Sequence, residues 1–102
     1  MTPRISVIIP TQRRPKGLAL AARSICRQAG LAAGEIELII VDNDQCPSAR
    51  SLAADLAAEA PFAVHYVHEP AAGVVNARNA GLARAAGGLI AFLDDDEEAP
   101  AG

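Results

Sequence analysis

The densest group of chemically capable side chains is an acidic run that directly follows the apolar segment LIAFL, and it consists of Asp94, Asp95, Asp96, Glu97 and Glu98. Alternate side chains of an extended chain point the same way, so Asp94 and Asp96 can face one ligand while Asp95 faces elsewhere. Carboxylates at that spacing suit a hard divalent cation, Mg²⁺ or Mn²⁺, held jointly with phosphate oxygens. A solvated acidic loop is the alternative, and the aliphatic segment before the run favours the metal site.

Two further residues are candidates for ligand contact. Asp42 ends the aliphatic segment IELIIV, where it either accepts a hydrogen bond from a ligand or forms a turn with Asn43 and Asp44. Arg78 lies early in the predicted helix of GVVNARNAG. A phosphate near the start of that helix would suit it, although an arginine is more commonly a plain surface residue. Both alternatives stay open for each of the two residues.

Several common kinds of site have no matching motif. No G-x-G-x-x-G follows the first predicted strand, which argues against a nicotinamide or flavin site, and no P-loop pattern is present. No Ser or Cys stands in a nucleophile-elbow context. Cys26 and Cys46 have no His or Cys at ligand spacing beside them, so we expect reduced thiols and no structural zinc. His65 and His68 are weak indications, and we assign them no role.

Hydrophobic patterning predicts the elements that must position these residues. Four short runs rich in β-branched residues predict strands, at residues 5–9, 36–41, 63–67 and 89–93. Alanine-rich segments between them predict helices, at residues 15–29, 48–60 and 73–86. Strict alternation of this kind predicts an α/β fold, a Rossmann-like three-layer α/β/α arrangement with a parallel sheet of four strands in the order 3-2-1-4. No linker interrupts the chain, so we expect one domain.

The predicted topology brings the candidate residues together. Ligands of open parallel sheets bind beyond the carboxyl ends of the strands, near the point where the strand order reverses. The segments that follow the four predicted strands are residues 10–14, 42–44, 68–70 and 94–98. Nearly all the chemically capable groups are therefore expected at one edge of the sheet.

Composition and net charge argue against some classes of binding partner and against a membrane span. A net charge of −3 argues against a general polyanion-binding surface, so we expect no nucleic-acid partner. No segment approaches the roughly 18 to 20 apolar residues of a membrane span, and the N-terminal apolar run is too short for a signal peptide. We expect a cytoplasmic chain, and a membrane anchor beyond Gly102 in a longer parent protein stays open.

Three segments together resemble the N-terminal, nucleotide-sugar-binding half of family 2 glycosyltransferases, which have the GT-A type fold. They are SVIIPTQRRPKGLALAARSICRQ, IELIIVDND and HEPAAGVVNARNAGLARAAGGLIAFLDDDEEAP. The resemblance covers almost the whole chain, with the motifs in the family's order and spacing. It implies that residues 1–102 are the nucleotide-diphospho-sugar-binding half of a glycosyltransferase domain, partial because the acceptor half is absent.

The resemblance also implies roles for individual residues. Pro10, Thr11 and Arg13 would line the nucleotide pocket, and Asp42 would hold the base, typically a uracil. Arg78 would approach the same base or its phosphates. In the acidic run, Asp95 would lie near the ribose, while Asp96, with Asp94 beside it, would serve the metal. The three consecutive aspartates satisfy the family's D-x-D pattern. Because all three residues are Asp, the role of each individual residue stays open.

The implied reaction is transfer of a glycosyl group from a nucleoside diphosphate sugar, most simply a UDP-sugar, to an acceptor hydroxyl with inversion. Mn²⁺ or Mg²⁺ would neutralise charge on the departing diphosphate. The general base is expected beyond residue 102, so we expect the fragment alone to be inactive and to self-associate through an exposed edge strand. A nucleotidyltransferase-like enzyme and a non-catalytic nucleotide-binding or interaction module are the alternatives.

Overall fold

The computed structural model of the protein describes residues 3–26 and 33–94. Strands and helices alternate along the chain, in the order β1 (Ile5–Thr11), α1 (Pro15–Cys26), β2 (Ile36–Asp42), α2 (Arg50–Glu59), β3 (Ala63–His68), α3 (Val74–Arg84) and β4 (Leu89–Phe92). A single turn of 3-10 helix, Ala33–Glu35, precedes β2 and is absent from the sequence prediction. Among the described helices, none combines the length and apolarity needed to cross a membrane.

The four strands form one parallel sheet in the order β3-β2-β1-β4. The predicted α/β fold class and strand order are therefore confirmed. The register pairs Thr11 with Asp42 and Asp42 with His68, so the last residues of β1, β2 and β3 lie side by side. This is the carboxyl edge of the sheet, where the sequence places the candidate residues.

β1 continues through Pro10, where the sequence prediction ends it. Pro10 lies opposite Val41 of β2, whereas pairing with β4 stops at Ile8. Backbone groups of successive strand residues face opposite neighbours, and the Ile8 carbonyl accepts the Leu93 N–H on the β4 side. Pro10 faces that same side, beyond the paired part of β4, so its missing N–H removes no bond of the sheet.

Helices cover both faces of the sheet, so two layers of core form. One layer packs α1 and α2 on alternate strand residues, and its members include Val7, Ile9, Leu18, Leu38, Ile40 and Leu56. The other packs α3 on the opposite face through Ile8, Ile39, Val41 and Ala77. Small helix residues permit close approach, because a Cβ added to Gly81 of α3 would lie only 2.5 Å from Cγ2 of Ile8.

A buried polar network fixes the opposite, amino edge of the sheet. Glu37 of β2 is only 3% exposed, and its Oε2 accepts hydrogen bonds from the Ser6 hydroxyl at 2.6 Å and the Ala86 N–H at 2.7 Å. Its other oxygen, Oε1, lies 3.1 Å from Nε2 of His65. The Ser6 hydroxyl in turn accepts the Gly87 N–H at 2.8 Å. These bonds tie the α3–β4 connection to the sheet.

The strands differ sharply in burial. All seven residues of β2 are buried, as the segment IELIIV, apolar except for Glu37, predicts for a central strand. All four residues of β4 are exposed, and Leu89 shows 59% of its surface and Phe92 41%. An apolar surface therefore lies at the β4 edge of the described structure.

Candidate functional site

The β1–α1 turn presents Arg13 at the carboxyl edge of the sheet. Arg13 has a φ of 53°, a left-handed conformation that costs a side-chain-bearing residue roughly 1–2 kcal/mol. Its Nε donates to Oδ2 of Asp44 at 2.9 Å, which joins this turn to the one after β2. The hydrogen bond from Arg13, followed by that from Ser48, holds the pKa of Asp44 below its usual range. Asp44 is thus an anion that orients Arg13.

Asp42 lies at the centre of the edge and is completely buried. Its Oδ2 accepts the Ala49 N–H at 2.8 Å and the Tyr66 hydroxyl at 2.7 Å, while Oδ1 accepts the Asp44 N–H at 3.3 Å. Burial, together with the hydrogen bond to Asp42 and its charge, raises the pKa of Tyr66 to about 12. The bond from the Asp44 N–H is the one that the turn interpretation of Asp42 predicts, while the other two join Asp42 to the start of α2 and to β3. Oδ1, with its single long bond, is the less engaged oxygen.

The bond from the Ala49 N–H to Asp42 lies at the start of α2. The prediction starts this helix at residue 48, but the first helical residue is Arg50 and Ala49 is the N-cap. Ala49 has its N–H committed to the carboxylate at the end of β2. Asp42 therefore joins β2 to the start of α2 and, through Tyr66, to β3.

Asn43 makes more tertiary hydrogen bonds than its place in a predicted turn suggests. Its Nδ2 donates to the carbonyl oxygens of Glu69 and Ala71, both at 2.8 Å, and its Oδ1 accepts the Gly73 N–H at 3.2 Å. All three partners belong to the β3–α3 loop. His68, to which the sequence assigns no role, donates from Nε2 to the Asp44 carbonyl at 2.8 Å, because a carbonyl oxygen only accepts.

Arg78 lies on the exposed side of α3 and extends over β4. Its guanidinium carbon is 5.2 Å from the centroid of the Phe92 ring, a cation–π contact. Phe92 is two residues before Asp94, so the structure brings Arg78 to the strand that leads into the acidic run. Asp94 is exposed and has an interaction partner of its own.

The predicted metal pair lies partly outside the described residues. Asp94 is within them, whereas Asp95 and Asp96, like Glu97 and Glu98, are not. Within residues 3–26 and 33–94, no three His, Cys, Asp or Glu side chains come together as a metal site would require. Carboxylate oxygens remain the ligand type that Mg²⁺ and Mn²⁺ prefer, so the residue types of the run fit such an ion.

A cavity of about 260 Å³ opens between the β1–α1 and β2–α2 turns. Its polar lining comes from Thr11, Arg13, Arg14 and Ser48, and its apolar lining from Pro15, Leu18, Ala49 and Leu52. Hydroxyl and guanidinium donors beside an apolar floor can hold an anionic group attached to a flat or apolar body. Thr11 and Arg13, two of the three residues predicted for the nucleotide pocket, thus share one cavity, and Pro10 lies just before them in β1.

The described candidate residues therefore meet at one edge of the sheet without forming one pocket. Thr11 and Arg13 border the cavity, Asp42 is buried at the end of β2, and Arg78 lies over β4 on the α3 side. Reasoning from the sequence placed Asn43 at this edge only as a turn residue, and it did not include Tyr66. Their positions at the ends of strands were visible, but hydrogen bonds across 24 to 30 residues were not.

Comparison with known proteins gives consistent matches. The family model described as glycosyl transferase family 2 matches residues 6–102. The succinoglycan biosynthesis protein ExoM of Rhizobium meliloti (strain 1021) is 41% identical over 96 residues, which cover 94% of this chain and 31% of that protein. The GalNAc(5)-diNAcBac-PP-undecaprenol beta-1,3-glucosyltransferase of Campylobacter jejuni is 30% identical, over 94% of this chain and 30% of the relative. The chain thus spans less than a third of these relatives.

Solved structures agree on the fold. The mannosyltransferase PcManGT from Pyrobaculum calidifontis, in complex with GDP-Man and Mn²⁺, superposes with a TM-score of 0.85 at 25% identity, covering 99% of this chain and 30% of that one. S. aureus TarS in complex with UDP gives a TM-score of 0.71 at 23% identity, over 91% of this chain and 27% of its own, and so supports the fold alone. Because a family model matches nearly the whole chain and its parallel 3-2-1-4 sheet recurs in these structures, the chain belongs to glycosyl transferase family 2.

Proposed function

We propose that this chain binds a nucleoside diphosphate sugar at the carboxyl edge of its sheet and forms the donor-binding half of a metal-dependent, inverting glycosyltransferase. One observation carries the proposal: 99% of the chain superposes on a mannosyltransferase whose structure contains GDP-Man and Mn²⁺. The location of Thr11, Asp42 and Arg78 at a single edge of the sheet supports it.

In this proposal the first two turns hold the nucleotide. Pro10, Thr11 and Arg13 border its pocket, and Asp44 holds the Arg13 guanidinium in place through the hydrogen bond that it accepts from Nε. Asp42 accepts a hydrogen bond from the base through Oδ1. Because Asp42 has no exposed surface, the segments that cover it must shift when the base enters. A UDP-sugar is the donor that the family resemblance favours.

In this proposal the diphosphate extends away from the first two turns, towards α3 and the acidic run. Arg78 would contact the base or its phosphates, Asp95 would serve the ribose, and Asp94 and Asp96 would hold Mn²⁺ or Mg²⁺. The ion would neutralise charge on the departing diphosphate. The bond from the anomeric carbon to the diphosphate oxygen breaks as the acceptor oxygen bonds to the opposite face of that carbon. A carboxylate beyond residue 102 of a longer protein takes the hydroxyl proton in this proposal.

Calorimetric titration with UDP, GDP and dTDP, each with and without Mn²⁺, tests the proposal. We expect weak binding of at least one nucleoside diphosphate that strengthens when Mn²⁺ is present. Asp96→Ala should remove that strengthening. Asp55→Ala is the matched control, because Asp55 is an exposed aspartate of α2 that takes no part in the proposed site, and it should bind as wild type does. Equal binding with and without Mn²⁺ in wild type and Asp96→Ala would contradict the metal assignment.

A further inference from the structure

The amide of Asn43 connects the end of β2 to the start of α3. Asn43 is 9% exposed, and its side chain makes three hydrogen bonds, all to backbone atoms of the loop between β3 and α3. A primary amide has two N–H donors and one carbonyl acceptor, and here each N–H and the oxygen has a partner. The pairing uses the whole donor and acceptor set of this side chain, apart from one lone pair.

The loop that Asn43 holds ends at the N-cap of α3. That N-cap is Gly73, whose φ of 121° is accessible to glycine and strained for other residues. Gly73 has no side chain with which to cap the helix, and its carbonyl accepts the first helical hydrogen bond, from the Ala77 N–H at 3.1 Å. The Gly73 N–H bonds to Asn43, so a side chain just after β2 ties the first turn of α3 to the carboxyl edge of the sheet.

Arg78 lies in the second turn of α3, five residues after Gly73. A helix moves as a rigid unit over such a distance, so a displacement of the first turn carries Arg78 with it. We propose that Asn43 is a positioning residue for donor binding, which places the Arg78 guanidinium against the nucleoside diphosphate by holding the first turn of α3. This inference rests on the role proposed for Arg78 in the preceding subsection.

A double-mutant cycle on Asn43 and Arg78 tests it, with UDP affinity in the presence of Mg²⁺ as the readout. Arg78→Ala should weaken binding roughly tenfold or more, as loss of a charged hydrogen bond does. Asn43→Ala should weaken it by a similar factor in the wild-type background. Because Asn43 acts through Arg78, the effect of Asn43→Ala should largely disappear in the Arg78→Ala background.

A second substitution at Asn43 separates a loss of positioning from a loss of folding. Asn43→Asp keeps the shape of the side chain and the bond from Gly73, but its carboxylate cannot donate to the Glu69 and Ala71 carbonyls. We expect it to fold and to lose UDP affinity in the same Arg78-dependent way. Asn76→Ala is the matched control, since Asn76 also donates from Nδ2 to a backbone carbonyl of this loop, that of Ala72, but is exposed. It should bind UDP as wild type does.

Failure of the inference about Asn43 and failure of the role proposed for Arg78 would give different results. If Arg78→Ala weakens binding while Asn43→Ala and Asn43→Asp have the same effect in both backgrounds, the positioning inference is overturned and the proposed function stands. If Arg78→Ala leaves UDP affinity unchanged, the role proposed for Arg78 is wrong and the inference about Asn43 falls with it. Circular dichroism of each variant establishes that the affinities belong to folded protein.

Discussion

Gly81→Ala provides a test of how closely α3 packs on the sheet. Gly81 is a buried residue of α3, the eighth of its 11 residues. A Cβ at this position would lie 2.5 Å from Cγ2 of Ile8, and 3.2 Å from both Cδ1 of Ile8 and Cγ2 of Val41. Ile8 and Val41 have no exposed surface and are packed into the core, so neither side chain can move away without displacing others.

Two opposing terms decide the sign of the change in stability. Alanine is favoured over glycine in a helix by about 1 kcal/mol. Overpacking of a well-packed core typically costs about 1–3 kcal/mol, and a contact of 2.5 Å belongs at the upper end of that range. We therefore expect Gly81→Ala to lower the free energy of unfolding by about 2 kcal/mol, with a fall in Tm of several degrees.

Urea unfolding followed by circular dichroism measures this change. Gly88→Ala is the matched control, because Gly88 lies in the α3–β4 connection and an added Cβ would meet no atom within 4 Å. It should change the free energy of unfolding by less than about 0.5 kcal/mol. A Gly81→Ala variant as stable as wild type, or more stable, would refute the close approach of α3 to β1 and β2.

Three further predictions concern other parts of the molecule. Burial raises the pKa of Glu37, but its hydrogen bonds and the nearby positive charges outweigh burial and leave the pKa below its usual range. Its ionised form therefore stabilises the fold above the unfolded pKa of about 4.3 and loses that contribution as pH falls through the folded pKa. Glu37→Ala should cost about 1–3 kcal/mol in urea unfolding at pH 7, and this cost should shrink as the pH falls from about 4.3 through the folded pKa. Tyr66 is the sole tyrosine, so its titration followed by ultraviolet absorbance should show a pKa of about 12 that falls towards the ordinary value in Asp42→Asn. The exposed apolar surface of β4 should make the chain self-associate, and light scattering that stays at the monomer mass over a wide concentration range would contradict this.

The fold could be predicted from the sequence because its determinants are local. Apolar runs such as IELIIV, separated by alanine-rich segments with helical spacing, identify buried strands and helices. Their strict alternation then restricts the topology to a parallel sheet with right-handed crossovers. The extent of β1 was not predicted, because the effect of Pro10 depends on where β4 stops pairing.

The sequence predicted which residues lie at the carboxyl edge of the sheet, but it did not predict the hydrogen bonds between them. Asp42, Asn43 and Asp44 were identified as a group, and a turn was one interpretation of it. Local turn bonds are present, but each of these three side chains also contacts a different neighbouring segment, at distances along the chain that no local pattern encodes. The hydrogen bonds of Glu37 were not predicted either, because its apolar neighbours in the sequence do not indicate the buried network at the amino edge. Asp95 and Asp96, predicted for ribose and metal, lie outside the described residues and stay predictions.

Mapping of backbone amide chemical shifts tests whether the carboxyl edge of the sheet binds a nucleoside diphosphate. ¹⁵N-labelled protein is titrated with UDP and, separately, GDP in the presence of Mg²⁺. We expect shift changes clustered at the carboxyl edge, at Thr11, at residues 42–44 and around Arg78. The amide shifts of the amino edge, around Glu37 and Gly87, should stay unchanged. Changes confined to the amino edge, or none with either nucleotide at millimolar concentration, would contradict the claim that this chain carries a nucleoside diphosphate site at the carboxyl ends of its strands.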